Sequence, residues 1–125
     1  MSGPIREPVR VLFVCRLNRH RSATAERIFC KDPSLDVRSA GTSADASVCV
    51  NARMLNWADV VFVMELEHVR FLQDQFPDSP ALRRVVCLDI PDKYSFLHPE
   101  LTDLLRARVT PHLDRLRAEH LMTEE

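Results

Sequence analysis

The sequence predicts an α/β protein with an open four-stranded parallel sheet and helices on both faces, three layers in all. Three observations carry that prediction. Strand-like and helix-like stretches alternate four times, the order of a parallel sheet with crossover helices. Asp59 to Met64 (DVVFVM) is an almost unbroken apolar run bounded by charge, as in a strand covered on both faces. From Pro99 onward, Leu101, Leu104, Leu105, Val109, Leu113 and Leu116 keep a helical period.

The elements follow in order. Met1 to Pro8 reads as a loose polar tail, because Pro4 and Pro8 discourage an earlier strand start. Val9 to Phe29 (VRVLFVCRLNRHRSATAERIF) begins as an apolar β-branched strand, crosses a short basic segment and continues at helical spacing. Asp32 and Pro33 mark a turn. Leu35 to Ala40 is a short second strand ending at Gly41, where a backbone conformation resisted by other residues is expected. A weak helical pattern runs from Val48 to Leu55. After the third strand, Leu66 to Phe76 reads as a helix with Leu66, Val69, Phe71 and Leu72 inward, stopped by Pro77. Arg84 to Asp89 (RVVCLD) is the fourth strand, with Cys87 buried within it. Pro111 interrupts hydrogen bonds in the last helix but not its period, so one kinked helix is expected, with Met122 to Glu125 frayed.

The first strand-loop-helix concentrates the chemistry. Cys15 ends the strand, and Arg21 and Ser22 begin the helix. A helix N-terminus leaves N–H groups unpaired and carries partial positive charge, so it favours a bound anion and the ionised form of a nearby thiol. The segment lacks glycine, which excludes a Walker-type loop. Asn18 is then the residue best able to take positive φ. Arg21 can fork onto two phosphate oxygens, and the Ser22 hydroxyl can donate to Cys15. Both strand one and strand four end on the rim where open parallel sheets bind ligands.

The motif CRLNRHRS resembles the Cys-x5-Arg-Ser signature of the low-molecular-weight protein tyrosine phosphatases. RSAGT at Arg38 to Thr42, ADVVFVMELEH at Ala58 to His68 and the Asp-x-Tyr at Asp92 to Tyr94 match further on, so the resemblance covers Val9 to about Leu116. It is closest to the short bacterial branch of predicted phosphatases with Asn-Arg-x-Arg-Ser in the loop. Leu17 stands where better-studied members have Gly, and His20 where they have a second loop cysteine. The resemblance implies a Rossmann-like three-layer fold and a cysteinyl-phosphate mechanism. It makes Cys15, Arg21 and Asp92 catalytic, and it assigns phosphate or substrate binding to Arg16, Leu17, Asn18, Arg19, His20, Ser22 and Tyr94.

Asp92 is the preferred general acid, being on a loop with the Asp-x-Tyr spacing. Asp89 is the alternative, although at a strand end its side chain is better placed to cap backbone or pair with an arginine. Tyr94, the only tyrosine, can wall a pocket for a flat phosphorylated ring. Phe96 is a second candidate, though core packing accounts for it better. Trp57 reads as core, and His68 as a surface or capping histidine.

At 125 residues the chain is long enough for one domain, residues 1–125, with a single core. Its net charge of −1 provides no general pull toward nucleic acid or membrane. No leader pattern or span-length apolar run is evident, so a cytoplasmic protein is expected. The four cysteines are widely separated, which fits neither a disulfide framework nor a metal site, and no cofactor is expected. The expected partner is a phosphorylated protein or a small aryl phosphate. Two other functions share this pattern. An arsenate reductase needs relay thiols, for which Cys49 is the one candidate, and a non-catalytic phosphate-binding module needs the loop alone. Arg16, Arg19, His20 and Arg21 could also meet nucleic-acid phosphates, but no basic or aromatic stripe extends them.

Overall fold

The computed structural model describes residues 7–123. Residues 1–6, most of the expected N-terminal tail, lie outside the described residues, as do 124–125. Strands β1 (Val9–Cys15), β2 (Leu35–Gly41), β3 (Val60–Val63) and β4 (Val85–Cys87) form one sheet in the order β2-β1-β3-β4, each neighbouring pair parallel. Helices α1 (Arg21–Phe29), α2 (Ala52–Trp57), α3 (Leu66–Gln75) and α4 (Pro99–Thr123) connect and cover it, with a short 3₁₀ turn over Pro80–Arg84.

Alternate strand residues point to opposite faces, and the two cores follow that alternation. Phe13 and Phe62 meet Ala25 and Phe29 of α1 and Leu101, Leu105 and Leu113 of α4. Phe13 stacks on Phe29 and on Phe62 with ring centroids 5.8 and 5.4 Å apart. On the other face Leu12, Val14, Val61 and Val63 meet Leu55 of α2 and Leu72 of α3. Burying each such side chain stabilises the fold by about 1.5–3 kcal/mol, which fixes β1 and β3 at the centre. The strand order reverses between them. The loops after β1 and β3 therefore border the switch-point crevice of the sheet.

Several details depart from the sequence reading. The weak pattern over Val48–Leu55 becomes a helix only from Ala52, because Asn51 caps it by accepting from Met54 N at 2.9 Å. The residues before it instead lie along β2, where Gly41 N donates to the Val48 carbonyl at 2.7 Å. Gly41 has no positive φ. What it provides is space: a Cβ there would stand 2.5 Å from Ala46 Cβ and 2.6 Å from the Arg16 carbonyl oxygen. β4 is shorter than expected, since Arg84 belongs to the preceding turn and Asp89 adopts φ 56°.

Cys87 is exposed rather than buried, because it ends the strand at the open edge of the sheet. Leu66 is 55% exposed as the first residue of α3, and Phe96 is 42% exposed rather than core. Trp57 is only half-buried, with the Arg38 guanidinium 4.1 Å from its ring centre. α4 runs through Pro111 as one helix and continues to Thr123, past the expected start of fraying. Among the described residues, no helix is long and apolar enough to cross a membrane.

Candidate active site

β1 delivers Cys15 to the rim of the sheet, buried at 3% exposure, and α1 begins six residues later. Asn18 bends the loop between them with φ 59°, the left-handed turn that a glycine-free segment needs. The Asn18 backbone N–H donates to Cys15 Sγ at 3.3 Å, and Ser22 Oγ lies 3.0 Å from the same sulfur. The Asn18 side-chain amide donates to Ser22 Oγ at 2.9 Å and to Ser39 Oγ at 2.8 Å. Ser39 in turn donates to the Glu26 carboxylate. Ser22 therefore receives a hydrogen from Asn18, and its own hydroxyl hydrogen lies between the sulfur at 3.0 Å and the Ala40 carbonyl oxygen at 3.4 Å. Sequence reading identified Asn18 and Ser22 but gave Ser39 and Glu26 no role. The one available signal was Ser39 within RSAGT.

Among the described residues, Arg21 is the largest fully buried side chain. A buried guanidinium requires a carboxylate and hydrogen-bond acceptors, and the loops after β3 and β4 supply them. NH1 donates to Glu65 and, at 2.9 Å, to the Ile90 carbonyl. NH2 faces Asp92 Oδ2 at 3.7 Å, an ion pair too long for a hydrogen bond. NH1 is thus held by two protein acceptors, while NH2 makes no hydrogen bond among the described residues. Sequence reading missed Glu65, although an acidic residue just beyond a buried strand on the catalytic rim was the clue.

Cys15, Leu17, Arg19, His20, Arg21 and Asp92 line one small cavity. Asn18 and Ser22 lie beneath it. Arg19 is tethered to the Asp45 carbonyl at 2.9 Å, and His20 is the N-cap residue of α1 without a side-chain cap bond. Arg16 lines a different cleft, with Thr42, Ser43, Glu67, His68 and Phe71. Asp89 does not line the cavity. Arg108 of α4 holds its carbonyl at 2.6 Å and that of Leu88 at 2.8 Å, anchoring the loop that carries Asp92. Tyr94 is half-buried against the α1–α4 core, 5.7 Å from the His98 ring.

His68 caps α3 as one sequence reading held, but from inside, at 1% exposure. Its Nδ1 accepts from Glu65 N at 3.0 Å, while the Glu65 side chain accepts from the His68 backbone N–H. Burial first, and then the nearby Arg21 charge, hold the imidazole below its ordinary pKa.

No protein-family model matches the sequence, and neither does any curated protein. Solved structures do match. The chain is similar to the YwlE arginine phosphatase from Geobacillus stearothermophilus, with 27% identity, 94% of this chain and 95% of that one covered, and a TM-score of 0.64. It also resembles the tyrosine phosphatase Wzb from Escherichia coli K30, solved with phosphate, at 20% identity, 86% and 97% coverage and a TM-score of 0.70. The low-molecular-weight protein tyrosine phosphatase SP-PTP from Streptococcus pyogenes aligns at 19% identity, 86% and 93% coverage and a TM-score of 0.71. Fold and loop together define a phosphatase of the small single-sheet α/β class. Within that class, the chain shares the fold of the low-molecular-weight protein tyrosine phosphatases among these structures.

Proposed function

We propose that this chain hydrolyses phosphotyrosine-like monoesters through a cysteinyl-phosphate intermediate. The observation that carries the reading is the cavity in which Cys15, Arg21 and Asp92 converge. Cys15 Sγ, as thiolate, attacks phosphorus in line, and the phosphorus–oxygen bond to the leaving group breaks. Asp92 transfers its proton to that oxygen. Arg21 and the loop N–H groups hold the equatorial oxygens with donors already in place. In the second half, water attacks the phosphorus while Asp92 takes a water proton, and the sulfur leaves with its electron pair. The Ser22 hydroxyl, 3.0 Å from Sγ, stabilises it as it leaves.

Three facts support an aryl ester over other substrates. Asp92 is 49% exposed on a loop, where it can reach a leaving oxygen. Tyr94 and Phe96 follow it on the same segment, outside the lining of the cavity itself, and are the aromatic groups a flat ring can meet there. The mouth carries Arg19, whose positive charge repels the cationic leaving group of a phosphoarginine, the substrate type named for the Geobacillus relative. A soluble phosphoprotein or aryl phosphate is the proposed partner, met in the cytoplasm.

The deciding measurement is aryl phosphate hydrolysis by the wild type and by Cys15→Ser, with phosphoarginine run beside it. Metal-independent turnover by the wild type, and none by the variant, is the expected result. Turnover surviving the substitution, or faster turnover of phosphoarginine than of phosphotyrosine, overturns the reading.

A further inference from the structure

The segment that carries Asp92 is bounded by two bends in the left-handed region of backbone space. Among the described residues, three other than glycine take positive φ: Asn18 shapes the loop under Cys15, and Asp89 (56°) and Leu97 (61°) stand on either side of Asp92. The two bends differ in how readily they form. A short polar side chain tolerates this backbone, and at Asp89 the carbonyl is also held by Arg108 at 2.6 Å. A leucine resists it, and a bulky residue stays there only where its surroundings dictate the turn.

Burial does not dictate the turn at Leu97, whose exposure is 39%. A hydrogen bond across the molecule does: the Leu97 backbone N–H donates to Thr24 Oγ1 at 2.9 Å. Thr24 is fully buried in α1, three residues after Arg21, so the two side chains share one face of that helix. Arg21 NH1 donates to the Ile90 carbonyl at 2.9 Å. One face of α1 therefore grips the Asp92 segment at both ends, Ile90 through Arg21 and Leu97 through Thr24. Between these ends the backbone bonds are local, from Lys93 N to the Pro91 carbonyl at 3.0 Å and from His98 N to the Ser95 carbonyl at 3.1 Å. Asp92 is itself half-exposed and meets Arg21 only at 3.7 Å. Its place beside the Cys15 cavity is thus set by the two ends of the segment and by the half-buried Tyr94.

We propose that Thr24 is a positioning residue for the general acid. Its hydroxyl oxygen keeps Leu97 in the left-handed turn; relaxation of Leu97 to negative φ redirects the chain leading back to Asp92 and carries the carboxyl away from the cavity. This inference rests on the phosphatase reading above, with Asp92 as the acid.

The test measures kcat/KM for phenyl phosphate, which has a poor leaving group, and for nitrophenyl phosphate, which has an activated one. The proteins are the wild type, Thr24→Val, Thr24→Ser, Leu97→Pro, Asp92→Asn and the double variant Thr24→Val with Asp92→Asn. Thr24→Val keeps the side-chain shape and removes the acceptor. Leu97→Pro removes the donor and forbids positive φ at an exposed loop position, so it decides the question even where Thr24→Val fails to fold. Both should lower phenyl phosphate hydrolysis about five- to tenfold, the contribution of one neutral hydrogen bond, and nitrophenyl phosphate hydrolysis less than about twofold. Thr24→Ser retains the oxygen and should stay near the wild type. Because Thr24 acts through Asp92, the double variant should be no slower than Asp92→Asn alone. Competitive inhibition by inorganic phosphate should be unchanged in Thr24→Val and Leu97→Pro, as an intact cavity requires. Equal losses on both esters, or a double variant slowed further by the factor seen for Thr24→Val alone, rejects the positioning role while the phosphatase reading stands. Hydrolysis of neither ester by the wild type removes both proposals together.

Discussion

Glu65 holds the NH1 nitrogen of Arg21 from the N-cap of α3, and so a residue after β3 sets the direction of a guanidinium at the start of α1. Glu65→Gln retains the oxygen that caps the helix and removes the charge. The buried Arg21 then loses its counter-ion, so kcat/KM for an aryl phosphate should fall by roughly 10- to 100-fold. Stability should drop by about 1–3 kcal/mol, less than for a fully buried pair, because the Glu65 side chain is 35% exposed. Steady-state kinetics and denaturant unfolding measure the two. Unchanged kinetics in a folded variant would show that Arg21 orients itself without help.

The acid is tested through the leaving group. Asp92→Asn should slow poor leaving groups by about 10² to 10⁴ and activated esters much less, since a good leaving group needs little protonation. Asp89→Asn should be mild, its side chain lying off the cavity. The reverse pattern would transfer the role to Asp89.

Oxidation separates this loop from relatives with a second loop cysteine. Cys15 pairs in register with Gly41, and Gly41 bridges to Cys49. Two inter-strand spacings of about 4.8 Å separate the cysteines, roughly 10 Å, beyond the ~7 Å Cα limit of a disulfide. Cys87 is likewise two strands away, through Val63 and Val14. Cys30 lies beyond the far end of α1, about 12 Å on from its first turn. Peroxide should therefore inactivate the enzyme with limited recovery on thiol treatment, as the sulfenic acid passes to higher acids. Peptide mass spectrometry decides the point: a Cys15–Cys49 or Cys15–Cys87 disulfide with full recovery favours the arsenate-reductase alternative.

His68 links stability to pH. Its folded pKa lies below the unfolded value near 6.5, so the unfolded chain binds the proton more readily. The contribution is fully present above about pH 6.5 and is lost as pH falls through the folded pKa. Unfolding free energy should thus decline on acidification from neutrality, and His68→Gln should flatten that part of the curve. An equal slope in both proteins would assign the effect to other groups.

The layers and the alternation of strands with helices were legible because a strand buried on both faces is an unbroken apolar run, as in Val11–Val14 and Val60–Val63, while a packed helix keeps a period of 3.6. The loop was legible because a glycine-free turn has few candidates for positive φ, and Asn18 was one. Glu65, Ser39 and Glu26 were not, since their roles arise only when the third strand and the first helix are brought beside β1. Cys87 was misjudged because an apolar run looks the same in a central strand and at an edge. Gly41 was read for torsional freedom when its constraint is the closeness of the Arg16 carbonyl, a contact between segments that sequence spacing does not encode.

The chain has one tryptophan and one tyrosine, and they sit on opposite faces of the sheet. Trp57 packs beside the α2–α3 core under Arg38, and Tyr94 packs beside the α1–α4 core. Each half of the interior thus has its own intrinsic chromophore. Both faces share β1 and β3, so tryptophan emission and tyrosine absorbance should change at the same denaturant concentration, as one cooperative unit requires. Separate midpoints would reveal that one side of the sheet can loosen while the other keeps its packing.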